Sequence, residues 1–214
     1  MPTPEEARAW MPDDDPVHDY AHVMRVYHMA EKLAIAEGAD LEIVRAAALL
    51  HDAVGSAPGS PTQELRHNHH GSSAEFAAGI LRREGWSEER ISAVQHCILA
   101  HRFRYTTDRP STLEAQVLYD ADKLDVLGAL GAARTIAYAV LAHQPIYSEP
   151  SEQFLSTGTE ETGEPHSSYH EFLYKLVKIR DTLHTNTARE IAQSRHDFLV
   201  SFYTELGEEI RGTR

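Results

Sequence analysis

The sequence predicts an all-α fold in a single domain, and three observations carry that prediction. Apolar residues recur at spacings of three and four along most of the 214-residue chain, the period that lines one face of a helix. Apolar–polar alternation of the strand type never persists beyond a few residues. Glycines and small polar residues stand where such helices must start and stop. A chain of this length can bury a full core.

The elements follow in order. Over 18–37 the apolar positions are Val23, Val26, Tyr27, Ala30, Leu33 and Ala34, and Gly38 follows where a left-handed residue ends a helix. Asp40 is placed to cap the next helix. There Leu41, Val44, Ala47, Ala48 and Leu50 run into His51-Asp52, and a segment apolar nearly all round marks the buried central helix. Residues 55–66, GSAPGSPTQELR, have the composition of a long irregular loop. A helix from about His70 to Glu84 is stopped by Gly85, and Ser87-Glu88-Glu89-Arg90 has the form of a helix start leading into Ile91, Val94, Ile98 and Leu99. Helices over 112–130 and 132–142 surround Asp120-Ala121-Asp122-Lys123-Leu124-Asp125, with Gly128 and Gly131 as a break or close-packing point. A second long loop covers 144–165, and amphipathic helices over 167–183 and 187–210 close the chain. Residues 1–15 form an N-terminal extension to one domain over 16–214. No internal repeat, Gly-rich phosphate loop or heptad array occurs.

Composition narrows the function. The formal net charge of −13, from 33 acidic against 20 basic residues, repels a nucleic-acid backbone and argues against a duplex partner. A small anionic substrate remains compatible where a metal and local Arg or Lys reverse the potential inside a cleft. No run of about 18 apolar residues is present, which argues against a membrane partner, and residues 1–16 lack the features of a signal peptide. Cys97 is the single cysteine, so no internal disulfide forms and a cytoplasmic location is expected.

The chemistry concentrates in His22, His51-Asp52 and Asp122. Two imidazoles and two carboxylates from three predicted helices can hold one divalent metal with positions left open for water and a phosphate oxygen. That suits metal-assisted hydrolysis better than a structural zinc site, which is closed and usually cysteine-rich. Mixed imidazole and carboxylate donors suit Mn²⁺ first, with Mg²⁺, Co²⁺, Ni²⁺ or Fe²⁺ as alternatives. Trp10 and Trp86 are expected to pack rather than stack a base. Phe172, Tyr174, Phe198, Phe202 and Tyr203 recur at helical spacing as core or an inter-helix seam. His166, His170, His184 and His196 have no metal-like partners in sequence, and Asp13-Asp14-Asp15 forms a solvated run.

Three stretches resemble the HD-domain superfamily of metal-dependent phosphohydrolases: His18-Asp19-Tyr20-Ala21-His22-Val23-Met24-Arg25-Val26, Ala47-Ala48-Leu49-Leu50-His51-Asp52, and Tyr119-Asp120-Ala121-Asp122-Lys123-Leu124-Asp125. Two more, His96-Cys97-Ile98-Leu99-Ala100-His101-Arg102-Phe103 and Leu127-Gly128-Ala129-Leu130-Gly131-Ala132-Ala133-Arg134, together with the run over 174–206, are similar to the small bacterial YpgQ/YedJ-like branch. The resemblance covers about 18–208. It implies an all-α HD-domain bundle, metal at His22, His51, Asp52 and Asp122, and hydrolysis of a phosphate ester or anhydride in a small phosphorylated substrate, with a nucleotide favoured.

Around those ligands, Lys123 and Arg25 are candidate phosphate contacts, with Arg102 or Arg104 at the rim. The competing readings are an ion pair of Lys123 with Asp19 or Asp125, and of Arg25 with a nearby acid. His18 and Asp19 are expected to orient His22. His67 and His69 fit a polar helix start, whereas His70 is a candidate substrate contact and matches the place where dinuclear relatives carry an extra ligand. His96 and His101 are five apart and so diverge on a helix; His101 is favoured as phosphate contact or proton donor. One departure stands out. Ala53-Val54-Gly55 follows the His-Asp pair where some relatives carry a water-activating acid, so Asp52 or a histidine inherits that role. The alternatives are a dinuclear enzyme (dinucleotide phosphodiesterase or iron oxygenase) and a non-catalytic nucleotide-binding protein. Monomer and homodimer are both compatible.

Overall fold

The computed structural model describes residues 1–10, 19–53, 63–102 and 109–214, the side chains of 63–69 excepted. The acidic run Asp13–Asp15 and the loop over 55–62 lie outside the described residues. Every regular element among them is helical, so the all-α fold class holds. None of these helices is by itself long and apolar enough to cross a membrane. The chain packs as two compact units.

The first unit holds Met1–Asp125 and Leu183–Ala188. Its helices are α1 (Pro4–Arg8), α2 (Tyr20–Glu37), α3 (Leu41–Leu50), α4 (Gln63–Arg83), α5 (Glu88–Ala100) and α6 (Leu113–Leu124). α3 packs against α2, α4, α5 and α6, and Val44 and Ala46 through Leu50 are fully buried. Each buried leucine contributes about 1.5–3 kcal/mol before entropy is charged against it. The caps stand where the sequence places them. Glu42 and Ile43 N–H donate to Asp40 at 3.0 and 3.2 Å, Arg90 N–H donates to Ser87, and Gly38 adopts φ 79°.

Two expectations are corrected here. α4 begins at Gln63, so the Gln-Glu-Leu-Arg end of the expected loop is helical. Those four are good helix formers, masked by the Gly, Pro and Ser of the same window. Residues 4–8 of the expected extension form α1, because Thr3 and Glu6 make a reciprocal capping box with Pro4 in the first turn.

The second unit holds Val126–Thr182 and Arg189–Arg214. It contains α7 (Gly128–Leu141), α8 (Glu152–Thr157), α9 (Ser168–Glu171), a π-helical turn (Phe172–Leu176), α10 (Val177–Ile179) and most of α11 (Asn186–Arg211). The helix expected over 112–130 therefore stops at Leu124, and α7 starts with Gly128 at φ 72°. Gly131 packs so closely that a Cβ there would lie 2.2 Å from the Val126 carbonyl oxygen. The expected loop over 144–165 contains α8, capped by Ser151 and ended by Gly158 at φ 74°. Glu164 gathers that loop. It accepts from Ser151 N–H and Oγ–H at 2.7 Å each, from Glu161 N–H at 2.7 Å and from buried His170 at 2.9 Å. The aromatic series divides: Phe172 stacks on buried Tyr203 at 4.5 Å, whereas Tyr174 and Phe198 are 41% and 50% exposed. Trp10 packs edge-on against Phe76, and Trp86 lies under Arg90.

Two predictions follow from this packing. Gly131→Ala should lower stability by roughly 1–3 kcal/mol, because backbone must move to admit the methyl group; an unchanged urea midpoint would refute the close approach. The bond from His170, with those from Ser151 and Glu161, holds the Glu164 carboxyl at about 2, against an ordinary 4.5. A depressed carboxylate stabilises the fold above its unfolded value and loses that contribution as pH falls through the folded one. Between pH 4.5 and about 2, the native chain should therefore lose its stability advantage over Glu164→Gln, read from urea titrations across that window. Parallel curves would dismiss Glu164 as the organiser of its loop.

Candidate metal centre

All the groups of the centre lie in the first unit. His22 projects from the first turn of α2, whose start is fixed by Asp19 accepting its backbone N–H at 2.8 Å. His51 is the C-cap of α3, followed at once by Asp52. His101 is the C-cap of α5, and Asp122 lies in the last turn of α6. One donor atom each from His22, His51 and Asp52 falls within 4.8 Å of the others, and all three residues are buried. Asp122 stands beside them, its Oδ1 3.5 Å from His22 Nε2.

The imidazoles are set by their Nδ1 atoms. His22 Nδ1 is 2.7 Å from Asp125 Oδ2, His51 Nδ1 is 2.8 Å from the Ala48 carbonyl, and His101 Nδ1 is 2.5 Å from the Ile98 carbonyl. Carbonyl and carboxylate oxygens accept only, so each ring carries its proton on Nδ1 and offers a lone pair at Nε2. The two carbonyls belong to last turns of helices, which leave such acceptors unused. All three Nε2 atoms approach Asp52. Those of His22 and His51 are 3.7 and 3.5 Å from Oδ2, and that of His101 is 3.8 Å from Oδ1. His51 Nε2 is buried and forms no hydrogen bond, which is costly unless a cation takes its lone pair. The donor set therefore fits a divalent metal.

Charge supports the same fit. Asp52, Asp122 and Asp125 face two cations, Lys123 on Asp122 at 2.5 Å and Arg25 on Asp125 at 2.8 and 3.1 Å, so the cluster is acidic in excess. Burial pushes the Asp122 carboxyl up, but Lys123 and the surrounding histidines outweigh it and hold the carboxyl well below the usual range. Burial pushes His101 down to about 3 against the pull of Asp52, which keeps that ring neutral.

Several expectations change at this point. Asp125, not Asp19, orients His22; Asp19 caps the helix, and His18 lies outside the described residues. The signal for Asp125 was its place one helical turn after Asp122. Lys123 pairs with Asp122 rather than with Asp19 or Asp125. Of the two histidines on α5, His96 receives the Ser111 backbone N–H at 3.2 Å, while His101 meets Asp52. His70 lies well inside α4 rather than at its start. Neither His70 nor His96 belongs to a group of three or more clustered donors among the described residues. Arg104 and the side chains of His67 and His69 lie outside the described residues.

Comparison with known proteins gives the family. The HD domain family matches residues 19–127, the stretch that supplies every group above. The uncharacterized protein YpgQ of Bacillus subtilis is 30% identical over 97% of this chain and 94% of its own. The crystal structure of YpgQ in complex with ADP aligns with a TM-score of 0.73 over 99% of this chain and 100% of that one. A Lactobacillus plantarum protein, 26% identical, aligns with a TM-score of 0.77 over 98% and 95% of the two chains. An HD-superfamily hydrolase from Bacillus thuringiensis, also 26% identical, aligns with a TM-score of 0.69 over 97% and 94%. With the His-Asp pair at the head of a buried donor cluster and this match across its length, the chain belongs to the HD domain family.

Proposed function

We propose that this chain is a phosphohydrolase that holds one divalent metal ion, Mn²⁺ first, at His22, His51, Asp52 and Asp122. It cleaves a phosphate ester or anhydride in a nucleotide or similar small phosphorylated molecule. The observation that carries the reading is the convergence of three buried donors within 4.8 Å, with Asp122 alongside. The nucleotide is supported by the ADP found in YpgQ, which matches this chain nearly end to end.

The bound ion would supply Lewis acidity toward water and toward a phosphate oxygen. The chain's own groups divide the remaining tasks. Asp52 directs Oδ2 to the donor cluster and Oδ1 to His101, so a water near Oδ1 meets two acceptors at once. His101 is suited to accept from that water rather than to donate. Its Nδ1–H is committed to Ile98, and a protonated ring, needed for the donor role expected from sequence, is opposed by burial. Lys123 supplies positive charge beside Asp122 where negative charge grows on phosphate oxygens. Arg25 uses Nε and one Nη on Asp125 and offers its remaining edge to the substrate.

The direct test is metal analysis of the purified protein with phosphate and pyrophosphate release from a nucleotide panel in Mn²⁺, repeated on Asp122→Ala. The expected result is about one metal per chain and turnover that the substitution abolishes. No turnover with any divalent metal would overturn the assignment, and two metals per chain would favour a dinuclear enzyme. Asp125→Ala should weaken metal affinity by roughly 10–100-fold while leaving every donor atom in place, as loss of an orienting partner does. Calorimetric metal titration reads this, and an unaltered affinity would remove Asp125 from the centre.

A further inference from the structure

The surroundings of α6 point to a substrate contact outside the residues that the HD family matches. At about 100° per residue, the order around α6 is Asp122, then Tyr119 and Lys123 together, then Asp120. Asp122 faces the donor cluster. Asp120 is fully buried and faces the segment Leu183–Ala188, which joins the first unit. Its carboxylate accepts from His184 N–H at 2.9 Å, from Thr185 N–H at 2.7 Å and from Thr185 Oγ–H at 2.7 Å. Thr187 N–H adds a bond to Glu37 at 2.8 Å. The backbone at 184–187 is thus tied to both α6 and α2.

Between those two faces lies the Tyr119 ring. Lys123 Nζ sits 5.2 Å from its centroid, and the His184 ring meets it edge-on at 5.1 Å. One aromatic ring therefore separates the ammonium at the centre from an imidazole that is exposed to solvent. The Asp120 carboxylate fixes the backbone at His184 and at its neighbour Thr185 from beneath, so the imidazole is carried on an anchored segment. We propose that His184 is a substrate-binding residue, fixed at the rim of the metal centre by Asp120 and Tyr119, and that it hydrogen-bonds a phosphate oxygen of the nucleotide beyond the bond being cleaved.

The inference rests on the phosphohydrolase reading, and its test separates the two. His184→Ala and His184→Gln are compared with the native protein for metal content, thermal midpoint, kcat and KM on the best nucleotide, and calorimetric binding of a non-hydrolysable nucleoside triphosphate with Mn²⁺. The expected result for His184→Ala is a roughly ten-fold rise in KM and Kd, the size of one lost charge-assisted hydrogen bond. kcat, metal content and thermal midpoint should stay close to native, and His184→Gln, which keeps an N–H donor, should recover part of the binding. Native KM and Kd in His184→Ala would overturn the role of His184 while leaving the hydrolase intact. A native protein that neither binds nor hydrolyses nucleotides would overturn both. A loss confined to kcat would overturn the proposal in favour of a contact made only in the transition state, and a loss matched by lost metal or a lowered thermal midpoint would overturn it in favour of a structural role.

Discussion

Everything at this centre depends on where three imidazole protons go. A metal ligand must be deprotonated at the ligating atom, and a histidine that can turn over or change tautomer is a poor one. Here His22 gives its Nδ1 proton to Asp125, and His51 and His101 give theirs to carbonyls three residues back in their own helices. The latter two bonds come at little cost, because a helix C-terminus has carbonyls to satisfy in any case. The His22 bond needs a dedicated carboxylate, and that carboxylate needs Arg25 to balance its own burial. Helix ends thus set two rings, and a part-buried ion pair sets the third.

The same economy would let a strongly acidic chain face the anionic substrate proposed above. The net charge of −13 belongs to the surface as a whole. Inside the cluster the carboxylates are committed: Asp125 to Arg25 and His22, Asp122 to Lys123 and the donor site. What remains is a small excess of negative charge at short range, where desolvation makes it costly and a divalent ion offsets it. With the proposed ion in place, Lys123 and Arg25 would add their positive charge to its own at the face offered to a phosphate.

Much of this was legible in the sequence, and the failures share a cause. Helices α2, α3 and α5 were found because their caps and apolar periods agree, as at Asp40, Gly38 and Ser87. The start of α4 was missed because four helix formers followed a Gly- and Pro-rich run, and composition over the window outweighed them. α8 was hidden the same way, although Ser151 and Gly158 mark both of its ends. At the centre, residue types revealed which atoms could ligate. They did not reveal that Asp125 rather than Asp19 holds His22, or that Lys123 turns to Asp122. Those outcomes depend on which helix faces which: in the sequence Asp19 stands three residues from His22, whereas Asp125 stands 103 residues away and reaches it only through the packing of α6 on α2.

The run Asp120-Ala121-Asp122-Lys123-Leu124-Asp125 shows how one turn and a half of helix carries several tasks without conflict. Asp122 and Asp125 lie about 60° apart around the axis, and Asp120 falls more than about 130° from either. The first two therefore share the face that meets α2, where one stands by the donor cluster and the other fixes His22. Asp120 points away and accepts three hydrogen bonds from the chain at 184–185 instead. Moving any of the three carboxylates by one position would rotate it by about 100° and leave a buried donor or cation without its acceptor. The spacing of this motif is thus fixed at two faces of α6 at once, by the metal centre on one side and by the returning C-terminal segment on the other.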